Sequence, residues 1–554
     1  MDVQKKYQAW LSCPLMPDEL KNELLRMESD QVSDSFYRSL SFGTGGLRGV
    51  LGAGTNRMNL FTVAKATRGL GRYLLKHCSQ PSCAVSYDSR IHSEDFARTA
   101  SAVLADLGIR VWLYPSLQPT PMLSFAVRYL SVSAGIMITA SHNPSSYNGY
   151  KVYGEDGCQI TLAAAEEIQQ AINSEPDLYD SLPSFNRLLS ENRISMIDQQ
   201  TIEAYYQAVL RLRPGASSSR LHVVYSPLNG TGNVPVREIL KRMGNIRVTI
   251  VPEQELPDGR FPTCPYPNPE IRETMQLAIQ KTLDTGADFC FATDPDCDRM
   301  GAGVRSGNEV RLISGNEMGI LMLDYLCRTR RTESAGEKPP VVVKTIVTTE
   351  MAAALCQKYG LELRNVLTGF KYIGEQIGLL EKNGEKERFL FGFEESYGYL
   401  SGTDVRDKDA VNASLLLCDM AASLKAEGKT MLDRLSELQE EFGYYAQRLL
   451  TFEYEGENGA KRMAGIMEEL RKPLGDFENQ EIRASERKDY LTDDTGLPAS
   501  DVLEFVLPEN QRIIIRPSGT EPKIKAYLFA RGQSQAEGEA ELDRLQSVVS
   551  GLCG

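Results

Sequence analysis

Ala134-Gly-Ile-Met-Ile-Thr-Ala-Ser-His-Asn-Pro144 decides how the chain is read. Its first five residues are an apolar run of strand length and turn residues follow at once, so a buried strand is expected to give out into a loop at Ser141. Open α/β sheets present their reactive groups at the carboxyl ends of strands, which puts this hydroxyl where chemistry takes place. A lone serine between Ala and Asn-Pro is ordinarily only a turn. Three further strand-end motifs, taken up below, outweigh that reading and mark Ser141 as a reactive group.

Outward from this strand, elements alternate. Residues 83–88 and 110–114 read as strands and 59–77, 93–108 and 121–129 as helices, the rhythm of a doubly wound α/β unit. The rhythm recurs with strands at 221–225, 247–251 and 287–292, and again at 341–347 and 389–393. After a helical run at 431–442 the composition turns acidic, and late strands at 512–515 and 524–529 suggest a smaller α+β unit. The polar first forty residues look helical, and Asp18-Glu-Leu-Lys-Asn-Glu-Leu-Leu25 offers one face for packing, as a structural cap would. Joints are expected near 193–200 and 309–312, and residues 329–340 read as a surface loop. The expected fold is α/β: three related doubly wound domains at 1–196, 197–311 and 312–442, then an α+β domain at 443–554.

The 554 residues exceed what one core supports. Against 74 acidic residues stand 61 Lys and Arg, a net charge of −13 that argues against nucleic acid or an anionic membrane as partner. Met1-Asp-Val-Gln-Lys-Lys-Tyr7 lacks the apolar core of a signal peptide and no later run reaches spanning length, so a cytoplasmic protein is expected. The eleven cysteines are scattered without a C-x-x-C pair and only four histidines accompany them, which suits small thiols in a reducing compartment. Cys297 stands out only because it lies within an acidic loop.

That loop, Asp294-Pro-Asp-Cys-Asp-Arg299, follows the 287–292 strand. Carboxylates at alternate positions can converge on one centre, and hard oxygen ligands suit Mg²⁺. Arg299 and Arg305 stand where an EF-hand needs Gly and Glu, whereas the D-x-D loop of glycosyltransferases fits these six residues taken alone. Phe42-Gly-Thr-Gly-Gly-Leu-Arg-Gly49 fails as a dinucleotide motif because Arg48 occupies the third glycine position; it reads instead as a mobile or tightly turned loop holding a guanidinium toward phosphate. Asn148-Gly-Tyr-Lys151 brings a lysine within reach of Ser141. Gly392-Phe-Glu-Glu-Ser-Tyr-Gly398 sets Glu394 and Ser396 two residues apart, suited to vicinal sugar hydroxyls. In Arg516-Pro-Ser-Gly-Thr-Glu-Pro-Lys523, Arg516, Ser518 and Thr520 with the backbone around Gly519 form an anion nest, to which Lys525 adds charge. Glu427-Gly-Lys-Thr430 lacks the upstream glycine of a phosphate loop, G-x-S-x-G is absent, and His142 reads as an orienting neighbour of Ser141 rather than a triad base.

Together, FGTGGLRG, TASHNP, DPDCDR, TGFKYIG, GFEESYG and RPSGTEPK resemble the α-D-phosphohexomutases over essentially the whole chain, and the helical start with Thr403-Asp-Val-Arg-Asp-Lys-Asp409 looks most like the long bacterial phosphoglucomutase branch, which also holds phosphopentomutases. The resemblance implies a four-domain, heart-shaped enzyme that carries Ser141 as phosphoserine. It implies Mg²⁺ on Asp294, Asp296, Asp298 and a phosphoserine oxygen, with Glu394 and Ser396 on sugar hydroxyls and Lys371 facing the sugar. Arg516, Ser518, Gly519, Thr520 and Lys525 would hold the phosphate that is not reacting. Arg48, Lys151, Arg299 and His142 would line the transfer centre, with Lys151 as the favoured base. The implied reaction interconverts glucose 1-phosphate and glucose 6-phosphate through glucose 1,6-bisphosphate, both intermediate and activator. Phosphopentomutase and phosphomannomutase activities are the alternatives, and a silent sugar-phosphate binding protein is the non-enzyme alternative. Monomer and homodimer both stay open.

Overall fold

The computed structural model describes residues 3–43, 45–215, 217–329, 338–454, 456–472, 484–518 and 523–554. The first sheet contains β1 (Gly46–Val50), β2 (Ser82–Tyr87), β3 (Arg110–Leu113), β4 (Ala134–Ile138), β5 (Tyr147–Gly154) and β6 (Ile194–Met196), in the order β1-β5-β4-β2-β3-β6. The second contains β7 (Leu221–Ser226), β8 (Ile246–Ile250), β9 (Phe289–Thr293), β10 (Met300–Ser306) and β11 (Glu309–Ile313), in the order β11-β10-β9-β7-β8. The third contains β12 (Val341–Thr345), β13 (Glu362–Val366), β14 (Phe389–Glu394) and β15 (Gly398–Leu400), in the order β13-β12-β14-β15.

One four-strand unit recurs in all three: β5-β4-β2-β3, β10-β9-β7-β8 and β15-β14-β12-β13. In each, the first strand pairs in parallel on both sides and the third strand then turns back into an antiparallel neighbour. Every residue of β4, β9 and β14 is buried, as apolar runs covered on both faces should be. The turn after each of these strands therefore occupies an equivalent place, at a carboxyl end. Those three turns hold Ser141, the Asp294–Asp298 run and the Glu394–Tyr397 run.

The fourth sheet is antiparallel throughout: β16 (Tyr444–Glu453), β17 (Glu486–Asp489), β18 (Leu503–Val506), β19 (Arg512–Pro517) and β20 (Lys523–Gly532), ordered β16-β20-β19-β18-β17. The closing helix Gln535–Cys553 packs Leu542, Leu545 and Val549 onto it, giving the α+β unit expected. At the other end of the chain the helices Val3–Leu11, Asp18–Arg26 and Ser29–Phe36 bury Trp10, Leu24, Val32 and Phe36 against Ala53 and Phe61, as a cap on the first unit. Truncating Phe36 to Ala there is worth about 3–5 kcal/mol.

Three expectations need correction. The glycine stretch at 42–49 is no free loop, because Gly46–Val50 is an edge strand in register with β5, Arg48 opposite Gly149. Glycine is required at Gly46, where a Cβ would meet the Tyr150 carbonyl oxygen at 1.9 Å. The strand β5 was itself unanticipated, since Asn148-Gly-Tyr-Lys151 has no apolar alternation. The joint expected at 309–312 falls on β11, in register with β10 across a turn in which Gly307 has φ 61°, so the polar turn composition there belongs to a hairpin of the second sheet. Gly519, Thr520 and most of the surface loop expected at 329–340 lie outside the described residues.

Candidate active site

Ser141 follows β4 with φ 52°, a left-handed backbone held by its own N–H donating to Thr139 Oγ1 at 2.8 Å. Such conformations persist only where surroundings enforce them. The enforcing group is Arg90, whose side chain is fully buried beneath the loop. Its guanidinium donates to the carbonyls of Pro144 at 2.8 Å, Tyr147 at 3.0 Å, Ser141 at 2.5 Å and also Asn143, while buried Asp88 lies 3.4 Å away. Arg48 on β1 donates to Asn143 Oδ1 at 3.0 Å, so the edge strand brings a second guanidinium to the loop. His142 Nδ1 stands 3.4 Å from Ser141 Oγ, and burial, then the nearby Arg299 and Arg48 charges, hold its pKa well below the usual imidazole range.

Ser141 Oγ donates to Asp294 Oδ2 at 2.8 Å, joining the first unit to the second. Asp294, Asp296 and Asp298 are all buried, and each offers an oxygen within 4.8 Å of the others. Burial, then repulsion from Asp296 and Asp298, raises the Asp294 pKa well above the carboxylate range. For Asp296 burial acts in the same direction, but Lys151, 2.7 Å away, outweighs it and pulls the pKa down. Lys151 also lies 3.7 Å from Asp298, and Lys408 reaches Asp298 at 3.1 Å and Asp407 at 3.0 Å. Asp296 Oδ1 and Asp298 Oδ1 accept no hydrogen bond although buried. Buried carboxylate oxygens left without a hydrogen bond fit a hard divalent cation.

The loop is braced from two sides. Thr120, at the start of the helix Thr120–Tyr129, donates its N–H to the Asp296 carbonyl and its hydroxyl to Asp296 Oδ2, both at 2.9 Å. Asn229-Gly-Thr-Gly232, after β7, lies against Pro295: a Cβ on Gly230 would meet Pro295 Cα at 2.4 Å, and Thr231 donates twice to the Pro295 carbonyl.

From this centre a cavity of about 810 Å³ opens toward the third and fourth units, lined among others by Arg48, His142, Arg299, Glu394, Arg516 and Lys525. Arg299 spans the second and third units, donating to Glu270 at 2.9 Å and to the Ser396 carbonyl at 2.9 Å. Glu394 accepts the Gly369 N–H at 2.9 Å, and burial raises its pKa. Glu395 takes the Thr345 and Thr348 hydroxyls at 3.2 Å each, and burial followed by Glu394 pushes its pKa up to about 7. Across the cavity Arg516 and Lys525 sit opposite one another on β19 and β20. Like charges directly opposite destabilise a sheet, and burial with Arg516 lowers the Lys525 pKa. Thr368 anchors Arg516 at 2.6 Å. Ser518 follows on, its N–H donating to the Lys523 carbonyl at 2.7 Å. Lys371 is the second residue of the helix Phe370–Lys382, which Gly369 precedes, with its ammonium 5.1 Å from the Tyr372 ring centre.

Four descriptions of one family match in chain order: Phosphoglucomutase/phosphomannomutase, alpha/beta/alpha domain I over 39–178, domain II over 203–307, domain III over 314–442, and the C-terminal domain over 457–544. The chain belongs to the phosphoglucomutase/phosphomannomutase family. A phosphoglucomutase of Staphylococcus haemolyticus is 35% identical over 533 residues, covering 92% of this chain and 96% of its own. Among solved structures, the open form of the Paramecium phosphoprotein pp63/parafusin, a phosphoglucomutase, superposes with a TM-score of 0.69 at 17% identity, over 93% of this chain and 96% of that one. The N-acetylphosphoglucosamine mutase of Aspergillus fumigatus, solved with GlcNAc-6P and magnesium, gives 0.52 at 14% identity, over 94% and 97%. The four-domain phosphohexomutase architecture is thus the fold of this chain.

Within this family fold, Ser141, the three aspartates, Lys151 and His142 come together, with Arg48, Arg299, Glu394, Arg516 and Lys525 around the cavity. Sequence reasoning missed Arg90, Thr120, Lys408 and Glu395. Asp88-Ser-Arg90 and Gln118-Pro-Thr120 both follow strands, and Lys408 lies in the quoted 403–409 stretch, so strand-end position was the available signal.

Proposed function

We propose that this phosphohexomutase-family isomerase, an intramolecular phosphotransferase, is a phosphoglucomutase in which Ser141 carries the phosphoryl group between the two ends of glucose. The carrying observation is the 2.8 Å contact between Ser141 Oγ and Asp294, next to His142 at the edge of a cavity that Arg516 and Lys525 also line. In this reading 1–196 carries the phosphoserine, 197–313 the metal loop, 314–442 the sugar loop and 443–554 the phosphate loop. Asp294, Asp296 and Asp298 would hold Mg²⁺ together with a Ser141 phosphate oxygen; the orphaned carboxylate oxygens and the hard donor set support that choice. Bound there, the ion would neutralise charge on the transferring phosphoryl.

Phosphoryl transfer needs in-line placement and charge neutralisation more than covalent help. The P–O bond to Ser141 breaks as one forms to the free hydroxyl of a sugar monophosphate, giving glucose 1,6-bisphosphate. Arg48, Lys151 and Arg299 offset the charge on the moving group. Burial tends to lower the Lys151 pKa, but its pairing with Asp296 and Asp298 raises it on balance; this supports a cation at the phosphoryl more than the proton acceptor expected. Glu394 and Ser396 hold sugar hydroxyls and Lys371 borders them. Arg516, Ser518, Gly519, Thr520 and Lys525 grip the resting phosphate. The bisphosphate turns over and its other phosphate returns to Ser141, so one phosphate site must serve either end.

The eleven free cysteines support a cytoplasmic setting, and no helix among the described residues is long and apolar enough to cross a membrane. Turnover of glucose 1-phosphate against ribose 1-phosphate and mannose 1-phosphate, with Mg²⁺ and a trace of the matching bisphosphate, tests the reading. Glucose is expected to be preferred. A strong ribose preference would replace the reading with a phosphopentomutase, and activity on none would return the chain to sugar-phosphate binding.

A further inference from the structure

Behind the cavity wall, a chain of charge, buried at Lys344 and Glu504 and half-buried at Glu350 and Arg512, crosses from the third unit to the fourth. Lys344 on β12 is completely buried and donates to Glu350 Oε1 at 2.8 Å and to the Thr348 carbonyl at 3.2 Å. The same Glu350 oxygen accepts Arg512 Nη2 at 2.7 Å from the fourth unit. Arg512 also donates to Glu504 at 3.0 Å, and Glu504 takes the Tyr490 hydroxyl at 2.7 Å. Around this chain Ile346, Val347, Leu367, Ile514, Tyr527 and Phe529 form an apolar seam between the units.

Each end of this chain leads to the cavity. Arg512 begins β19 and Arg516, four residues on, faces the phosphate side, so whatever anchors Arg512 sets the tilt of the strand carrying Arg516. At the other end, Thr345 and Thr348 bond each other at 2.8 Å and both donate to Glu395 in the sugar loop. Two cations share one carboxylate, so removing that charge leaves buried Lys344 without an anion and Arg512 held by Glu504 within the fourth unit alone, with no ionic tie across the seam. We propose that Glu350 is a positioning residue, the clasp that holds the fourth unit closed over the cavity while the bisphosphate turns. This rests on the phosphoglucomutase reading for its kinetic consequence but not for its structural one.

The test uses the full-length phosphorylated enzyme with E350Q, and R512M as the same break made from the other side. Single-turnover discharge of phosphoserine to glucose 1-phosphate is expected to stay within about twofold of wild type, because neither residue touches Ser141. In steady state both variants should release more bisphosphate per turnover and need roughly tenfold more added glucose 1,6-bisphosphate for half-maximal rate. Small-angle X-ray scattering should show a larger radius of gyration for both. Unchanged bisphosphate demand with an unchanged radius would overturn the clasp, as would equal losses in single-turnover and steady-state rates. Failure of both variants to fold would also overturn it, by making the bridge a determinant of the fold. If wild-type phosphoserine does not discharge to glucose 1-phosphate, the functional reading falls, and the scattering comparison alone decides the clasp.

Discussion

Two walls of one cavity treat charge in opposite ways. Around Ser141 the ionic groups are buried and mutually engaged: Asp294 with the serine hydroxyl, Asp296 with Lys151 and Thr120, Asp298 with Lys408. On the fourth unit Arg516 and Lys525 face each other as like charges. The first wall is organised before substrate arrives, as electrostatic catalysis requires. Among the described residues no carboxylate is hydrogen-bonded to either of them, and in the proposed reading a substrate phosphate takes that place. In the proposed reading the difference teaches that repetition built the chemistry and an added unit the grip, since Ser141, the aspartate run and the Glu394 run all follow the third strand of the same four-strand unit.

If that division holds, damage to the first wall should abolish turnover and damage to the second should weaken binding. Ser141→Ala is expected to lower mutase turnover by on the order of 10⁴-fold with an unchanged circular dichroism spectrum; retention of a tenth of the rate would break the comparison. Next in size, chelation should remove on the order of 10²–10³-fold of activity and added Mg²⁺ should restore it, while Asp298→Asn should leave a protein that Mg²⁺ no longer rescues. Arg516→Ala should raise KM by roughly tenfold to a hundredfold with a smaller loss in kcat. A fall in kcat alone would move Arg516 to the first wall.

The smallest effect sharpens the boundary between the walls. Glu395 has a folded pKa of about 7 against an ordinary 4.5, so the folded state binds the extra proton between those values. Its contribution to stability is complete below pH 4.5 and is lost as pH rises through 7. Glu395→Gln should therefore lose less Tm than wild type between pH 6 and pH 8, by ~2 °C in a melting series. Equal slopes would show that Glu395 does not titrate there.

The strands buried on both faces were legible in sequence because β4, β9 and β14 are continuous apolar runs. The loops after them were legible as well, because several polar motifs stand at successive strand ends, although any one of them alone would read as an ordinary turn. Edge and return strands were not: β1 and β5 are glycine-rich and polar, and β11 resembles a turn-flanked loop until its partner is known. Contacts between distant segments were illegible for a different reason. Arg90 reaches beneath the serine loop and Thr120 braces the metal loop across 176 positions of chain, and no local pattern encodes either pairing.

The most direct test of the central claim is peptide mapping by mass spectrometry after incubation with glucose 1,6-bisphosphate and Mg²⁺, repeated after a chase with excess glucose 1-phosphate. A phosphate found on Ser141 and discharged by the chase is the predicted result. A phosphate on another residue, or one on Ser141 that the chase leaves in place, would contradict it.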